Sequence, residues 1–184
     1  MEKWKIRQVK DVSPSPWFPI EQHLVELANG HLVDDYFITT LGDVVQVLPI
    51  TSDGYIVLVQ QYRHGQNDIL LELPGGFVQE GKTEIESALA ELEEETGIRA
   101  AESAIISLGK IAQLPSKSTQ VSHGFLATGL TFNGVQKLDD LEEVDLVLKR
   151  PKEVVEMVLK GDIWVSDSVC FILKAFHLYP NLFS

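Results

Sequence analysis

Residues 75–98 read GGFVQEGKTEIESALAELEEETGI, and the second half of this stretch predicts a helix. Thr83 followed by Glu86 makes a capping box, Ile85, Ala88, Leu89 and Leu92 recur at helical spacing, and Gly97 supplies a left-handed stop. The same helix carries Glu84, Glu86, Glu91, Glu93, Glu94 and Glu95, with no Lys or Arg between Thr83 and Ile98. Glu91, Glu94 and Glu95 stand at i, i+3 and i+4, which at about 100° per residue gathers them within roughly a third of the circumference, beside the apolar face. Each like-charge pair costs about 0.2–0.5 kcal/mol, and carboxylates in a last turn also oppose the helix dipole. A solvated acidic face is one explanation, although such faces usually interleave Lys at i+4. Hard divalent cations are the other: Mg²⁺ takes oxygen ligands and bridges carboxylates to substrate phosphates, which accounts for the charge and its position together.

A second motif overlaps the first. Gly76–Thr83, GFVQEGKT, satisfies the G-x-x-x-x-G-K-T pattern of a phosphate-cradling P-loop, in which Lys82 and Thr83 would contact phosphate and Mg²⁺. The context opposes it. Glu80 would put negative charge into an anion-binding loop, the helix that follows is acidic, and the segments before it read as antiparallel hairpins instead of a parallel βαβ unit.

The 184 residues suit one domain with a sizeable core, extended by a small terminal element. A formal charge of −12 disfavours nonspecific binding to nucleic acid or anionic membrane, so no nucleic-acid or membrane partner is expected. An anionic substrate would need metal and local Arg or Lys to approach. The single Cys170 excludes an intrachain disulfide and a Cys-type zinc cluster. The N-terminal MEKWKIRQVKDV has no apolar core of a secretory leader and no run approaches the length of a membrane span, so a reducing, cytoplasmic setting is the expectation.

Outward from the acidic helix, short strands are predicted at Lys3 to Val9 and His23 to Leu27, and a third follows the Asn29-Gly30 turn through HLVDDYFITT, making a small antiparallel sheet. Val44 to Pro49 and Tyr55 to Gln61 form a second hairpin around Thr51-Ser52-Asp53-Gly54, and Ile69 to Leu73 leads into Pro74-Gly75-Gly76. Ala104 to Gln113, Val121 to Thr128 and Val144 to Leu148 read as further strands. Pro151 opens a helix that runs to Gly161, and Ser166 or Asp167 starts another. Mixed strands with three helices imply an α+β layer structure.

The stretch from Gly76 to Ile98 resembles the Nudix hydrolase signature, with AELEEETGI at its core. Two positions depart from that pattern: Lys82 stands where the family has Glu, and Ala90 where it has Arg before the first metal-binding Glu. Both halves of what resembles a supporting ion pair are absent together, so neither is left buried alone. VLVQQYR, LLELPGGF, the loop after Gln113 and EVVEMVLKGDI are similar to the ADP-ribose and nucleotide-sugar pyrophosphatase branch. The resemblance implies a Nudix-like α/β/α sandwich with a mixed sheet over residues 43–184. It also implies an antiparallel β extension over residues 1–42, expected to serve as the dimerisation element of a homodimer.

That resemblance further implies an enzyme that cleaves the diphosphate of a nucleoside diphosphate linked to a sugar, with Mg²⁺, or Mn²⁺ as substitute, held by Glu91, Glu94, Glu95 and the Gly75 carbonyl. Glu143, with Glu142 as neighbour, matches the loop position that supplies the branch's general base. Arg63, Glu72 and Gly76 match substrate contacts, although Arg63 is equally readable as a surface cation paired with an acid, and Glu72 as a partner of Lys82. His123 lies within a strand and reads as structural. Gln120 stands where related chains often carry Glu. The Lys82 and Ala90 departures motivate a rival of another class, a module that binds nucleotide or metal without turnover and serves regulation.

Overall fold

The computed structural model describes residues 1–139 and 142–184, and the chain divides into two compact units. Unit 1 comprises Met1–Asp43 and Ala112–Val121; unit 2 comprises Val44–Ile111 and Ser122–Ser184.

Unit 1 is built on a three-stranded antiparallel sheet, β1 (Lys5–Asp11), β2 (Ile20–Glu26) and β3 (Leu32–Thr39), in that spatial order. Gly30, at a φ of 83°, closes the turn between β2 and β3, where Asn29-Gly30 places it. Every residue of β1 is exposed, and Trp4 packs edge-on against Tyr36. Residues 112–121 join this unit: Lys117 sits 4.4 Å over the Tyr36 ring, and Gln120 Nε2 donates to the Gly42 carbonyl at 2.6 Å.

Unit 2 is a seven-stranded mixed sheet between helices. Its central order is β10 (Val144–Lys149), β5 (Ile56–Arg63), β4 (Val44–Thr51), β9 (Val121–Leu130) and β8 (Ile105–Ala112). β6 (Asp68–Glu72) also pairs with β5, and β7 (Gly75–Phe77) with β4. β4 and β9 run parallel, whereas β4–β5, β5–β6, β5–β10 and β4–β7 are antiparallel. A strand buried on both faces reads as a continuous apolar run, which is why VVQVLPIT and IVLV show no polar alternation.

Successive residues of those strands feed opposite layers. Val45, Val47, Val57, Phe125 and Ala127 pack with Ala88 and Leu92 of α1 (Glu84–Thr96). Leu48, Ile50, Ile56, Leu58 and Leu126 pack with Val154 and Val155 of α2 (Pro151–Lys160) and with Phe171, Ile172 and Ala175 of α3 (Ser166–Leu178). The result is the expected α/β/α sandwich. Gly124 is required by this packing, since a Cβ there would come 2.2 Å from the Phe171 ring.

β7 departs from the sequence reading, in which the strand from Ile69 to Leu73 leads into Pro74-Gly75-Gly76 with no further strand before the helix. Gly75 must lie flat on β4, because an added Cβ would meet the Val45 carbonyl oxygen at 2.0 Å, and that contact makes this segment a third strand edge. Among the described residues, no helix is long and apolar enough to cross a membrane.

Candidate active site

The capping box forms as its residues dictate: the Thr83 N–H donates to Glu86 Oε2 at 2.7 Å, and the Glu86 N–H to Thr83 Oγ1 at 3.2 Å. At the other end Gly97, at a φ of 70°, donates its N–H to the Glu93 carbonyl. Between these fixed ends the acids are sorted by tertiary contacts. Glu93 pairs with Arg99 at 3.0 Å and Lys137 at 2.7 Å, which hold its carboxyl below the usual range. Among the described residues no Lys or Arg forms an ion pair with Glu91, Glu94 or Glu95. The face singled out for cations is therefore the one left without side-chain cations of its own.

Glu95 is only 5% exposed and accepts a hydrogen bond from the Gly75 N–H at 2.7 Å. Burial, with Glu91 and Glu142 adding repulsion, pushes its carboxyl up to about 8 against the pull of that N–H and of Arg63. Glu91 is pushed up to about 7, chiefly by burial and then by Glu94 and Glu142. Its carboxylate rests on the bare α-carbon of Gly76, where a Cβ would come within 2.6 Å. Lys82 donates to Gln79 Oε1, and Gln79 Nε2 donates to Glu91 Oε1 at 3.4 Å.

Arg63 and Glu72 enter from the sheet. In β5 the odd position Val57 faces α1, and Glu72 pairs across from Val59, so Arg63 and Glu72 emerge on that same side. Arg63 Nε and Nη2 meet the two Glu72 carboxylate oxygens at 2.7 and 2.9 Å, and this contact raises the pKa of the guanidinium. Glu72 thus pairs with Arg63 and not with Lys82. Each Glu72 oxygen accepts one of these bonds, so the carboxylate holds the guanidinium in place on the side of the sheet that faces α1. Glu142 lies in the loop before β10, its Oε2 accepting from the Asp139 N–H at 3.2 Å, and its charge acts on both Glu91 and Glu95. Glu143 is exposed beside it, and the middle of the predicted Asp139 to Glu143 acidic loop, residues 140 and 141, lies outside the described residues.

Beneath this group lies a buried polar layer that the sequence reading missed. Ser168 Oγ accepts from the Leu73 N–H at 3.0 Å and donates to Gln46 Oε1 at 3.2 Å, while Ser122 Oγ donates to Asp167 Oδ2 at 3.2 Å. Burial pushes the Asp167 carboxyl up, and its charge acts on Arg63. The sequence pattern marks Asp167 only as a candidate helix start. The available signal was a polar Gln46 inside an otherwise apolar strand, which needs a buried partner.

Among the described residues no three His, Cys, Asp or Glu side chains already converge on one point that would hold a metal ion. The donor chemistry nevertheless fits a hard divalent cation. All the donors are oxygens, half-buried Glu91 and buried Glu95 are pushed up chiefly by burial, and Gly76 leaves room beside Glu91. The P-loop reading does not fit: the preceding strand, β7, is antiparallel to β4, and the Glu91 carboxylate lies against Gly76 where an anion would bind.

The NUDIX domain family matches residues 40–164. The chain is 32% identical over 146 residues to the methanol dehydrogenase activator of Bacillus methanolicus, covering 79% of this chain and 77% of that one. It is 30% identical over 144 residues to the ADP-ribose pyrophosphatase of Bacillus subtilis, covering 78% and 72%. A similar relative is the ADP-ribose pyrophosphatase of Mycobacterium tuberculosis, at 28% over 159 residues, 85% of this chain and 75% of that one. Among solved structures, an ADP compounds hydrolase shares the fold with a TM-score of 0.86 at 22% identity, covering 98% of this chain and 96% of that chain.

Proposed function

The chain belongs to the NUDIX family of hydrolases, and from that premise we propose that it hydrolyses a nucleoside diphosphate linked to a sugar, such as ADP-ribose, to a nucleoside monophosphate and a sugar phosphate. The observation that carries this reading is the acid pair of half-buried Glu91 and buried Glu95, with no ion-paired Lys or Arg among the described residues, on the sheet face where Arg63 emerges. Glu91, Glu94 and Glu95 with the Gly75 carbonyl would hold Mg²⁺, or Mn²⁺ in its place, which supplies charge neutralisation of the diphosphate and a more acidic attacking water. Arg63 carries five N–H donors, of which Glu72 takes two. The others belong to a half-exposed side chain and would hold a phosphate oxygen, with Gly76 leaving the backbone open for close approach. Glu142, whose charge acts on both Glu91 and Glu95, would take the proton of the attacking water, with Glu143 as its alternate. The water oxygen bonds to one phosphorus while the bridging P–O bond breaks, and the bridging oxygen leaves on the other phosphate.

Exposed Trp4, Ile6, Val9 and Phe37 in unit 1 support a homodimer formed through that sheet, which size-exclusion chromatography with light scattering would test. The half-buried, unpaired Cys170 accords with a reducing cytoplasmic setting.

A regulatory role has its own support: Lys82 and Ala90 depart from the family pattern, and one relative is a methanol dehydrogenase activator. Incubation with Mg²⁺ and a panel of ADP-ribose, nucleotide sugars, dinucleoside polyphosphates and NADH, with products resolved, separates the readings. Turnover of ADP-ribose that Glu94→Gln abolishes without loss of fold supports the hydrolase. Binding without turnover across the panel supports the regulatory module.

A further inference from the structure

Lys82 is the residue that the proposed chemistry leaves unused, and its surroundings are organised. The Gln79 N–H donates to Oγ of the wholly buried Ser87 at 3.0 Å, which pins residue 79 beside the first turn of α1. The Lys82 N–H closes a turn onto the Gln79 carbonyl at 3.1 Å, bringing the lysine side chain back over its own loop. There Lys82 Nζ donates to Gln79 Oε1. An ammonium has donors only, so it fixes which end of the amide faces it, and the amide nitrogen must turn the other way. That nitrogen donates to Glu91 Oε1 at 3.4 Å. Glu91 is thereby bounded on one side by an oriented amide and on the other by the α-carbon of Gly76.

We propose that Lys82, acting through Gln79, is a positioning residue that aims the Glu91 carboxylate at the divalent cation, an inference that rests on Glu91 being a ligand. Lys82 and Ala90 stand where the family pattern has Glu and Arg, and in this chain the Lys82–Gln79–Glu91 series of hydrogen bonds orients the Glu91 carboxylate. A positioning relay and a bare surface charge predict opposite signs. A lysine that acts only through space repels a cation, so removing it would tighten metal binding. A lysine that orients the amide supports the ligand, so removing it weakens metal binding.

The test is calorimetric titration of the full chain with Mn²⁺ alone, with thermal melts of each variant. Gln79→Leu should weaken Mn²⁺ binding about tenfold, the lower end of the effect of outer-shell substitutions, and Lys82→Met, one hydrogen bond further from the metal, about threefold. The double variant should bind as Gln79→Leu alone does, because the two residues act in series, and Lys82→Arg should keep wild-type affinity. Unchanged or tighter binding by Lys82→Met overturns the proposal, as do losses that multiply in the double variant or that track a fall in melting temperature. A wild-type chain that binds no Mn²⁺, or a Glu91→Gln variant that binds it normally, overturns instead the ligand reading on which the proposal rests.

Discussion

The Arg63 guanidinium meets both oxygens of the Glu72 carboxylate, and of the two side chains the acid is much the more enclosed, 4% exposed against 44%. That asymmetry means the arginine serves the acid before it serves a substrate. Arg63→Met should cost about 2 kcal/mol in urea denaturation, because it strands a buried carboxylate. Adding Glu72→Gln should return a large part of the loss, and a double-mutant cycle measures the coupling. A loss in Arg63→Met that Glu72→Gln leaves unrelieved would mean the two side chains are not coupled in solution.

The metal-free chain should lose stability as pH rises. Glu91 and Glu95 move from the ordinary 4.5 up to about 7 and about 8, chiefly by burial, so across that window the folded state holds more protons than the unfolded one. Their contribution is complete below pH 4.5 and is lost as pH climbs through the folded values. In EDTA the melting temperature should fall between pH 5 and pH 8, roughly the span set by those two groups, and Mg²⁺ should restore it most at the alkaline end. A flat or rising profile by scanning calorimetry would contradict the burial of these acids.

Glu142 and Glu143 are adjacent, yet the charge of Glu142 acts on both members of the acid pair. Glu142→Gln should lower kcat on ADP-ribose about 100-fold, as loss of a general base does, with Glu143→Gln within about twofold of wild type. The opposite ranking would assign the base to Glu143, the position that the family resemblance favours.

The two glycines of β7 should respond differently to a methyl group. At Gly75 the added carbon meets the backbone oxygen of Val45 at 2.0 Å, which cannot yield, so Gly75→Ala should destabilise the fold by about 3 kcal/mol or more. At Gly76 it meets the end of a side chain, Glu91, at 2.6 Å. Gly76→Ala should therefore keep a near-native melting temperature while weakening Mn²⁺ binding, measured by calorimetry. Equal destabilisation in both would show that Glu91 cannot swing aside.

The layered fold was legible in the chain because its signals are local. Val44 to Thr51 and Ile56 to Val59 announce strands buried on both faces, and the Thr83 and Gly97 caps delimit α1 to the residue. The face formed by Glu91, Glu94 and Glu95 followed from helical period alone. β7 was not legible, since Gly75-Gly76-Phe77 is too short for any period and becomes a strand only by lying against β4.

What the sequence by itself determined was thus which acids share a helix face and where that helix starts and stops, because spacing along a chain of known pitch fixes both. Only the tertiary structure decided the state of each acid. Glu93 gains Arg99 and Lys137, Glu72 takes Arg63 from the neighbouring strand, and Glu95 is buried on the Gly75 N–H. Asp167 comes under the site from an α-helix far along the chain, and its charge reaches Arg63. Burial and pairing depend on which distant segments arrive beside a carboxylate, and no periodicity in the sequence encodes that arrival.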